Sequence, residues 1–375
     1  MDEIRPYSPP QREIQRQIQP TIDIEVLPPE PDLLPSYYGK LFNTMAGMSS
    51  KDAQPVGGKN AKKIAIRRKN VMLLIDRVIN NIPVVWGINA HKLLCKALGA
   101  FIMTNPALNA KTINSVAINY EVNIPFIEYC TDMGYDVIPH DSSAAEKRRA
   151  GAVLRKVKQR TLEDLERLRE VKPTWTEALK KGGKALARIG EPGAIDKDFI
   201  NYSLIGSRGI VDGYIKLTID PKLVKDYLML LPQTKYHRKL FKVKTKTAYL
   251  MGLALLDHYI KPSNVNRKVN NRMKNKSVLQ STDLPTIEDI EGAIDPDTGR
   301  RAGGKHPGHW KPRIKEPFEK ALDELYSVGF LFDWGYFGKG GRALSYSEAT
   351  EAGAEAWGET YLYYDIKGNI TIEQS

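Results

Sequence analysis

The chain has 375 residues, a formal net charge of +12 and 42% hydrophobic residues. This length predicts two folded domains, and the hydrophobic content is sufficient for real cores. Its most apolar stretch, "VMLLIDRVINNIPVVWGINA", is interrupted by charged residues, asparagines and a proline, which excludes a bilayer-spanning helix. The acidic, proline-rich amino end has no signal-peptide pattern. Cys95 and Cys130 lie in apolar helical contexts and are expected to be buried free thiols in a reducing compartment.

Positive charge is concentrated in two separate segments. Residues 142–189 contain fourteen basic and six acidic residues, and residues 235–276 contain twelve basic residues against the single Asp257. Because solvated surfaces normally mix the two signs, these segments favour a polyanionic partner. RNA, DNA and acidic lipid all satisfy that criterion.

The first part of the chain divides into an arm and a helical region. Residues 1–62 are rich in Pro, Gln, Gly and Ser, which predicts a largely extended or disordered arm. The first domain is predicted over 63–219. "KKIAIRRKNVMLLIDRVINN" and "INAHKLLCKALGAFIMTN" predict helices, "SVAINYEVNI" predicts a short strand, and "PFIEYCTDMG" predicts a further helix.

A basic helix and a hairpin complete this domain. In "SSAAEKRRAGAVLRKVKQRTLEDLERL", Ser143 and Glu146 have the spacing of a capping box. The predicted apolar stripe comprises Val153, Val157, Leu162, Leu165 and Leu168. "DFINYSLIGSRGIVDGYIKLTI" predicts two strands joined by a "GSRG" turn that carries Arg208. The order of elements in this domain is helix, strand, helix, basic helix and hairpin, which is the order in a winged helix. In the helix-turn-helix pair of such a fold, the second helix enters the major groove.

Residues 220–375 repeat this order of elements and form the second predicted domain. "KTKTAYLMGLALLDHYI", "DLPTIEDIEGA" and "RIKEPFEKALDELYSVG" predict helices, and two later segments predict a hairpin turned by "GKGG". The fold class is therefore expected to be helix-rich α+β, with two winged-helix domains in tandem.

Two groups of basic residues in the second domain are candidates for anion contacts. Lys311, Arg313 and Lys315 crowd a predicted helix N-terminus, where the macrodipole disfavours cations, so an anion is expected there. The alternative is ordinary scatter of surface cations. The stretch "NVNRKVNNRMKNKSV" has no acid, and its cations are expected to bind phosphates unless its asparagines simply form a turn. These cations are Arg267, Lys268, Arg272, Lys274 and Lys276.

Enzymatic alternatives have weaker support. His306 and His309 have no third ligand at an obvious spacing, and no glycine-rich segment has the full spacing of a nucleotide-binding loop. Among eighteen tyrosines none is marked as a nucleophile, and Tyr361, Tyr363 and Tyr364 are expected in a strand. No cofactor is expected.

Short motifs throughout residues 84–340 resemble plasmid-type replication initiators with tandem winged-helix domains. The motifs are "AHKLLCKALGAFIMTN…SVAINYEVNIPFIEYCTDMGY", "GYIKLTIDPKLVKDYL", "TAYLMGLALLDHY" and "KEPFEKALDELYSVGFLFDW". The resemblance implies a bacterial cytoplasmic protein, associated with nucleoid or plasmid, that binds repeated duplex sites at an origin. It further implies a homodimer that becomes monomeric to act, origin melting, and recruitment of host helicase or primase. The proline-rich arm departs from the family's pattern.

The leading hypothesis is a sequence-specific initiator of plasmid or mobile-element replication, without enzymatic activity or membrane association. A winged-helix transcriptional regulator and a DNA-nicking enzyme with a tyrosine nucleophile are the alternatives. RNA is less favoured because aromatic residues are not interleaved with the basic segments. Besides the five cations of the asparagine-rich stretch, the expected DNA-binding residues are Ser143, Lys147, Arg148, Arg149, Arg155, Lys156, Arg208, Lys311, Arg313, Lys315, Lys339 and Arg342.

Overall fold

The protein is represented by a computed structural model. It describes residues 33–37, 43, 46–47, 53–56, 63–68, 71–75, 78–79, 82–83, 86–109, 111–135, 143–170, 173–175, 180–181, 184–185, 204–226, 228–230, 233–260, 271–295, 297–298, 300–338, 342–351 and 353–366. Most of the predicted arm, including residues 1–32, lies outside the described residues.

The described part of the chain begins with short strands, not with the helix predicted over 62–81. These are β1 (Leu33–Tyr37), β2 (Ala53–Val56), β3 (Lys63–Arg68), β4 (Val71–Ile75), β5 (Val78–Ile79) and β6 (Ile82–Pro83). β2, β3 and β4 pair antiparallel in sequence order, and β5 pairs with β6. The helical prediction was wrong because short apolar runs such as "IAI" and "VMLLI" do not distinguish a strand from a helix.

The next elements form the first winged helix. They are α1 (Ile88–Thr104), β7 (Glu121–Pro125), α2 (Phe126–Asp132), α3 (Ala144–Glu170), three short strands β8 (Pro173–Trp175), β9 (Lys180–Lys181) and β10 (Lys184–Ala185), and the hairpin β11 (Ile205–Val211) and β12 (Tyr214–Ile219). The sheet order is β11-β12-β7, so the strand between the first two helices pairs with the last strand. β8 pairs with β4 and extends the preceding sheet. This topology confirms the predicted winged helix.

The wing turns later than the sequence indicated. Residues 206–209, predicted as a "GSRG" turn, lie within β11, and the chain reverses at Asp212 and Gly213. Both residues have positive φ, 52° and 77° respectively, as a two-residue hairpin turn requires. The prediction overlooked this Asp-Gly pair, the stronger turn signal.

A connecting segment links the two winged helices. It contains α4 (Pro221–Asp226), a 3-10 turn at Leu228–Leu230, β13 (Gln233–His237) and a second 3-10 turn at Arg238–Lys242. β13 pairs antiparallel with β1, so a piece of the predicted arm is a strand of a two-stranded sheet. Leu34 of this strand is fully buried.

The second winged helix repeats the topology of the first with additions. Its elements are α5 (Lys246–Ile260), β14 (Arg272–Lys274), α6 (Asn275–Leu279), α7 (Ile287–Glu291), the hairpin β15 (Ala293–Ile294) and β16 (Arg301–Ala302), a π-helical turn at Lys311–Lys315, α8 (Glu316–Ser327), β17 (Leu331–Phe337), β18 (Ala343–Leu344), α9 (Tyr346–Glu351), α10 (Gly353–Glu359) and β19 (Tyr361–Ile366). The sheet order is β14-β19-β17-β18. As in the first unit, the strand after the first helix pairs with the last strand.

The two winged helices share one continuous core with a polar seam. The Nζ of Lys92 donates to the carbonyl oxygen of Val243 at 2.5 Å, and the Nδ1 of His91 lies 2.8 Å from the Tyr249 hydroxyl. All of these side chains are buried, as are the free thiols of Cys95 and Cys130. The first helix of one unit is therefore packed against the first helix of the other. No helix in the described residues has the length and apolarity needed to cross a membrane.

Candidate nucleic-acid interface

The amino-terminal half of α3 displays an unbalanced basic surface. All five predicted cations of this helix are exposed: Lys147, Arg148, Arg149, Arg155 and Lys156. Lys158 and Arg160, which the sequence prediction did not include, are exposed just beyond the midpoint of the helix. Within the described residues, none of these seven side chains forms an ion pair. A surface of this kind attracts a polyanion.

The carboxyl-terminal half of α3 contrasts with this surface because its charges are paired. Arg167 contacts Asp164 at 2.6 Å, and Arg169 contacts Glu166 at 3.1 Å. Burial raises the pKa of Asp164 to about 6, while the neighbouring Arg167 guanidinium opposes this increase. The two halves of one helix therefore differ in kind: one is packed and neutralised, the other projects its cations into solvent.

The buried side of α3 differs from the predicted stripe. Val157, Leu165 and Leu168 are buried as expected, but Val153 and Leu162 are 43% and 37% exposed. The actual buried stripe comprises Ala150, Val157, Thr161, Asp164, Leu165 and Leu168. Leu162 lies about 120° from the centre of this stripe on a helical wheel, which explains its exposure.

The exposed cations form two rows along α3. With about 100° of rotation per residue, Arg148 and Arg155 fall within about 20° of one line, and Arg149 and Lys156 do the same on a second line about 100° away. Within a row the two residues are about 10.5 Å apart along the axis. The strip between the rows carries the small side chains of Ala145 and Ala152 and then the exposed Gln159.

The start of α3 has the predicted capping box. The backbone N–H of Ser143 donates to Glu146 Oε2 at 2.8 Å, and the backbone N–H of Glu146 donates to the Ser143 hydroxyl at 3.3 Å. The Ser143 hydroxyl also donates to Glu146 Oε2 at 2.7 Å, and this bond, followed by that of the Ser143 backbone N–H, holds the pKa of the Glu146 carboxyl below its usual range. Ser143 thus fixes where α3 begins, and its hydroxyl also faces solvent beside the basic surface.

The hairpin of the first unit is tied to α3 by an ion pair. Arg208 lies in β11, not in a turn, and its guanidinium contacts Glu166 of α3. Its side chain is 20% exposed. At the turn itself, Lys216 contacts Asp212 at 3.5 Å. Arg208 therefore orients the wing relative to the helix, and its charge is already partly balanced.

In the second unit, the three cations predicted at the helix N-terminus have different environments. Lys311 and Arg313 are exposed, and no described residue forms an ion pair with either. Lys315 is 1% exposed and contacts Glu319 at 2.8 Å. The Tyr336 hydroxyl donates to the same carboxylate at 3.0 Å. Lys315 is consequently an interior residue that a DNA phosphate does not reach in this arrangement.

The described part of the asparagine-rich stretch, residues 271–278, contributes β14 and most of α6. Lys274 and Lys276 both contact Glu359, and their hydrogen bonds lower the pKa of this carboxyl to about 2. The Arg272 guanidinium lies 4.4 Å from the centroid of the Phe337 ring. Arg267, Lys268 and, in the second wing, Lys339 lie outside the described residues.

The second wing carries one described cation. The Arg342 side chain is 71% exposed and contacts Glu348 at 2.6 Å. β17 pairs antiparallel with β19, as the sequence predicted for the strands of this wing. β17 also pairs with β18, and α9 and α10 lie between β18 and β19. Arg301 of the β15–β16 hairpin contacts Glu355 of α10 at 2.6 Å, which fixes the two insertions together.

The described residues offer little support for an enzymatic centre. Nowhere in them do three His, Cys, Asp or Glu side chains come together as a metal ion would require. Tyr361, Tyr363 and Tyr364 lie in β19 as predicted. The Tyr364 hydroxyl donates to the Leu255 carbonyl oxygen at 3.2 Å, and burial raises its pKa. A tyrosine held in this way is a poor nucleophile.

Comparisons with known proteins give a structural likeness. No family model matches the chain, and no curated protein matches it. Among solved structures, the chain is similar to the Pi initiator protein, crystallised in complex with iteron DNA. The TM-score is 0.43 and the sequence identity is 10%, over 91% of this chain and 100% of the other.

Proposed function

We propose that the protein is a replication initiator of a plasmid or mobile element, which binds repeated duplex DNA sites through its two winged helices. In this role it helps to open the origin and recruits host helicase or primase, and it has no catalytic activity of its own. Exchange between a homodimer and a monomer belongs to the same proposal.

The basic face of α3 carries this proposal. It belongs to the third helix of a winged helix, the element that enters the major groove in helix-turn-helix proteins. Seven exposed cations without ion-pair partners in the described chain make it the largest unbalanced surface of this helix. The alternative to a polyanion-binding surface is an ordinary solvated surface whose opposite charges form pairs. The carboxyl-terminal half of α3 is such a surface, because Arg167 and Arg169 contact acids there.

The two-row arrangement supports duplex DNA over a structureless polyanion. The major groove is about 12 Å wide and admits one α-helix between its phosphate walls. Rows at either side of α3 match the two walls, while the strip between them faces the base edges. Ala145 and Ala152 fit thymine methyl groups, and Gln159 can pair with adenine through two hydrogen bonds. Affinity then comes mostly from the rows and specificity from the strip.

Salt-dependent binding of matched variants tests the role of α3. The double variant Arg148→Ala/Arg155→Ala removes one row, and the control Arg169→Ala/Lys216→Ala removes two exposed cations that are already ion-paired. The logarithm of the binding constant falls linearly with the logarithm of the salt concentration, and we call the magnitude of this slope the salt slope. Each lost phosphate contact reduces the salt slope by about 0.9, so the row variant is expected to lose about 2 from it and at least about tenfold in affinity. Equal behaviour of the two variants would argue against α3 as the DNA-binding element.

Selection of binding sites from random duplexes tests the initiator role. We expect an enriched motif whose copies are repeated beside the gene and next to an AT-rich tract. A single operator overlapping a promoter would instead favour a transcriptional regulator. Salt-sensitive binding with no enriched motif would remove origin recognition from the proposal.

A further inference from the structure

The segment between α7 and the second recognition helix is the most basic described surface that the proposed function leaves unused. From residue 300 to residue 315 the sequence has six basic residues, two histidines and no acid. Arg301 is ion-paired and Lys315 is buried. Apart from Lys311 and Arg313, four basic or histidine side chains of the segment are exposed and form no ion pair with any described residue: Arg300, Lys305, His306 and His309.

This segment has a defined backbone. We call residues 303–310 the glycine loop. The backbone N–H groups of Lys305 and His306 donate to the carbonyl oxygens of Asp289 and Ile290, each at 3.1 Å. The backbone N–H of Gly308 donates to the Glu291 carboxylate at 3.0 Å. These three bonds tie the loop along the end of α7.

The far end of the glycine loop is held by an aromatic anchor. Trp310 is 6% exposed, and its ring centroid lies 5.6 Å from that of Trp357 in α10. The next residue, Lys311, begins the recognition element. The loop is therefore fixed at both ends, and its exposed side chains stand immediately before the segment proposed to enter the major groove.

The two acids of α7 nearest the loop form hydrogen bonds with backbone and hydroxyl groups. The Asp289 carboxylate accepts hydrogen bonds from the backbone and side chain of Thr286, as the cap of α7. Glu291 accepts the Gly308 N–H. Asp289 is thus committed to the cap of α7 and Glu291 to the loop backbone, and within the described residues neither forms an ion pair with Arg300 or with a cation of the loop.

We infer that the glycine loop and the adjoining Arg300 form a separate binding site for backbone phosphates of the duplex, beside the groove segment contacted by the second recognition helix. This inference rests on the proposed function. Because the loop is already fixed, it loses little conformational entropy when it binds a phosphate, and this raises the affinity of the contact. Because phosphates are the same in every sequence, the site adds affinity without changing the preferred motif.

The test compares two double variants of the full chain on the selected duplex and on a scrambled duplex. Arg300→Ala/Lys305→Ala removes two cations of the site. Lys111→Ala/Lys225→Ala removes two exposed lysines outside both helix-turn-helix pairs. We expect the first variant to lose about tenfold in affinity on both duplexes and about 2 from the salt slope, with an unchanged motif and melting temperature. The control should keep the slope of the unaltered protein.

A second measurement changes the DNA before it changes the protein. Uncharged methylphosphonates placed one at a time in the selected duplex should weaken binding at positions just outside the motif. The variant Arg300→Ala/Lys305→Ala should be insensitive to those same positions. The inference is overturned if the unaltered protein binds duplex DNA and Arg300→Ala/Lys305→Ala binds it as tightly as the control variant does. It is also overturned if no flanking methylphosphonate weakens binding. In both cases the proposed function stands. If the unaltered protein does not bind duplex DNA, the proposed function fails with it.

Discussion

Lys315 and Arg155 are both cations on helices predicted to contact DNA, but their surroundings differ. Lys315 lies in the interior against Glu319, while Arg155 is exposed and has no ion-pair partner in the described residues. The sequence could not show this difference in exposure, because Lys315 follows Lys311 and Arg313 at alternate positions and resembles them in type. Only the burial of its side chain distinguishes Lys315 from a surface cation. Glu319, four residues later, was the available signal for a pair on one helix face.

Gly292 has a backbone conformation that other residues rarely adopt. Its φ is +91°, and a Cβ built on it would lie 2.5 Å from the Ala302 carbonyl oxygen. Gly303 has a similar φ of +80° but open space around it. Both glycines belong to the hairpin and loop that precede the second recognition element.

We therefore expect Gly292→Ala to reduce the free energy of unfolding more than Gly303→Ala does. Strain at positive φ costs about 1 kcal/mol in both variants, and the backbone clash adds about 1–3 kcal/mol for Gly292 alone. Urea unfolding of the two variants measures the difference. Equal losses would mean that β15 and β16 separate without cost, and the glycine loop would then not be rigidly held.

At the scale of elements, local periodicity predicted the helices better than the strands. α3 and α8 each bury one face, so their apolar spacing was visible in the sequence. α1 and α5 are buried on all sides over residues 90–99 and 248–253, and their long apolar runs indicated helices. The strands β3 and β4 are completed by β8, which follows about a hundred residues later, and no local pattern encodes that partner. β14 was likewise hidden, since its partner β19 lies near the end of the described chain.

The length of α3 gives its first turns a special dependence on the cap. Between Ser143 and Val157 only Ala150 is buried, so tertiary packing contributes little there. The capping box and the helical propensity of its alanines must hold the segment that carries both rows of cations.

Two substitutions of Ser143 separate helix stability from charge. Ser143→Ala removes the cap and is expected to cost about 1 kcal/mol, with weaker DNA binding through fraying of the first turn. Ser143→Asp retains an oxygen that caps the Glu146 N–H but faces the Glu146 carboxylate with a second negative charge, so it should recover only part of the stability that Ser143→Ala loses. Its added negative charge should weaken DNA binding further than Ser143→Ala does. Thermal unfolding and duplex titration measure the two effects. Tight binding by Ser143→Asp would place the DNA away from this end of α3.

At the scale of the whole molecule, the seam between the winged helices fixes how these two units lie against each other. It is formed by polar side chains that the sequence pattern marked only as members of helices. Besides the contacts of Lys92 and His91 across the seam, Lys96 contacts Glu128 at 2.6 Å, and Arg238 of the connecting segment lies 3.8 Å from Asp132. Element order predicted two winged helices, but it carried no information about their mutual packing.

His91 gives this seam a measurable pH dependence. It is surrounded by Lys92, Cys95 and Tyr249, and burial, followed by the charge of Lys92, lowers its pKa from 6.5 to about 3. Between these values the unfolded chain takes up a proton at His91 and the folded chain does not. The stability contributed by neutral His91 is thus complete above pH 6.5 and is lost as the pH falls toward 3.

The variant His91→Gln isolates this contribution, since glutamine can keep a hydrogen bond to Tyr249 and does not titrate. From pH 7.5 to pH 4.5 the unaltered protein should lose about 2–3 kcal/mol of unfolding free energy more than the variant does. Lys92, whose pKa is lowered to about 8, stays protonated in both states below that value and adds nothing in this window. Asp164, with a pKa raised to about 6, gains stability from the same acidification in both proteins, so its effect cancels. Urea unfolding at the two pH values measures the difference. If both proteins lost the same unfolding free energy between these pH values, His91 would be hydrated in the folded chain. That result would contradict a seam from which water is excluded.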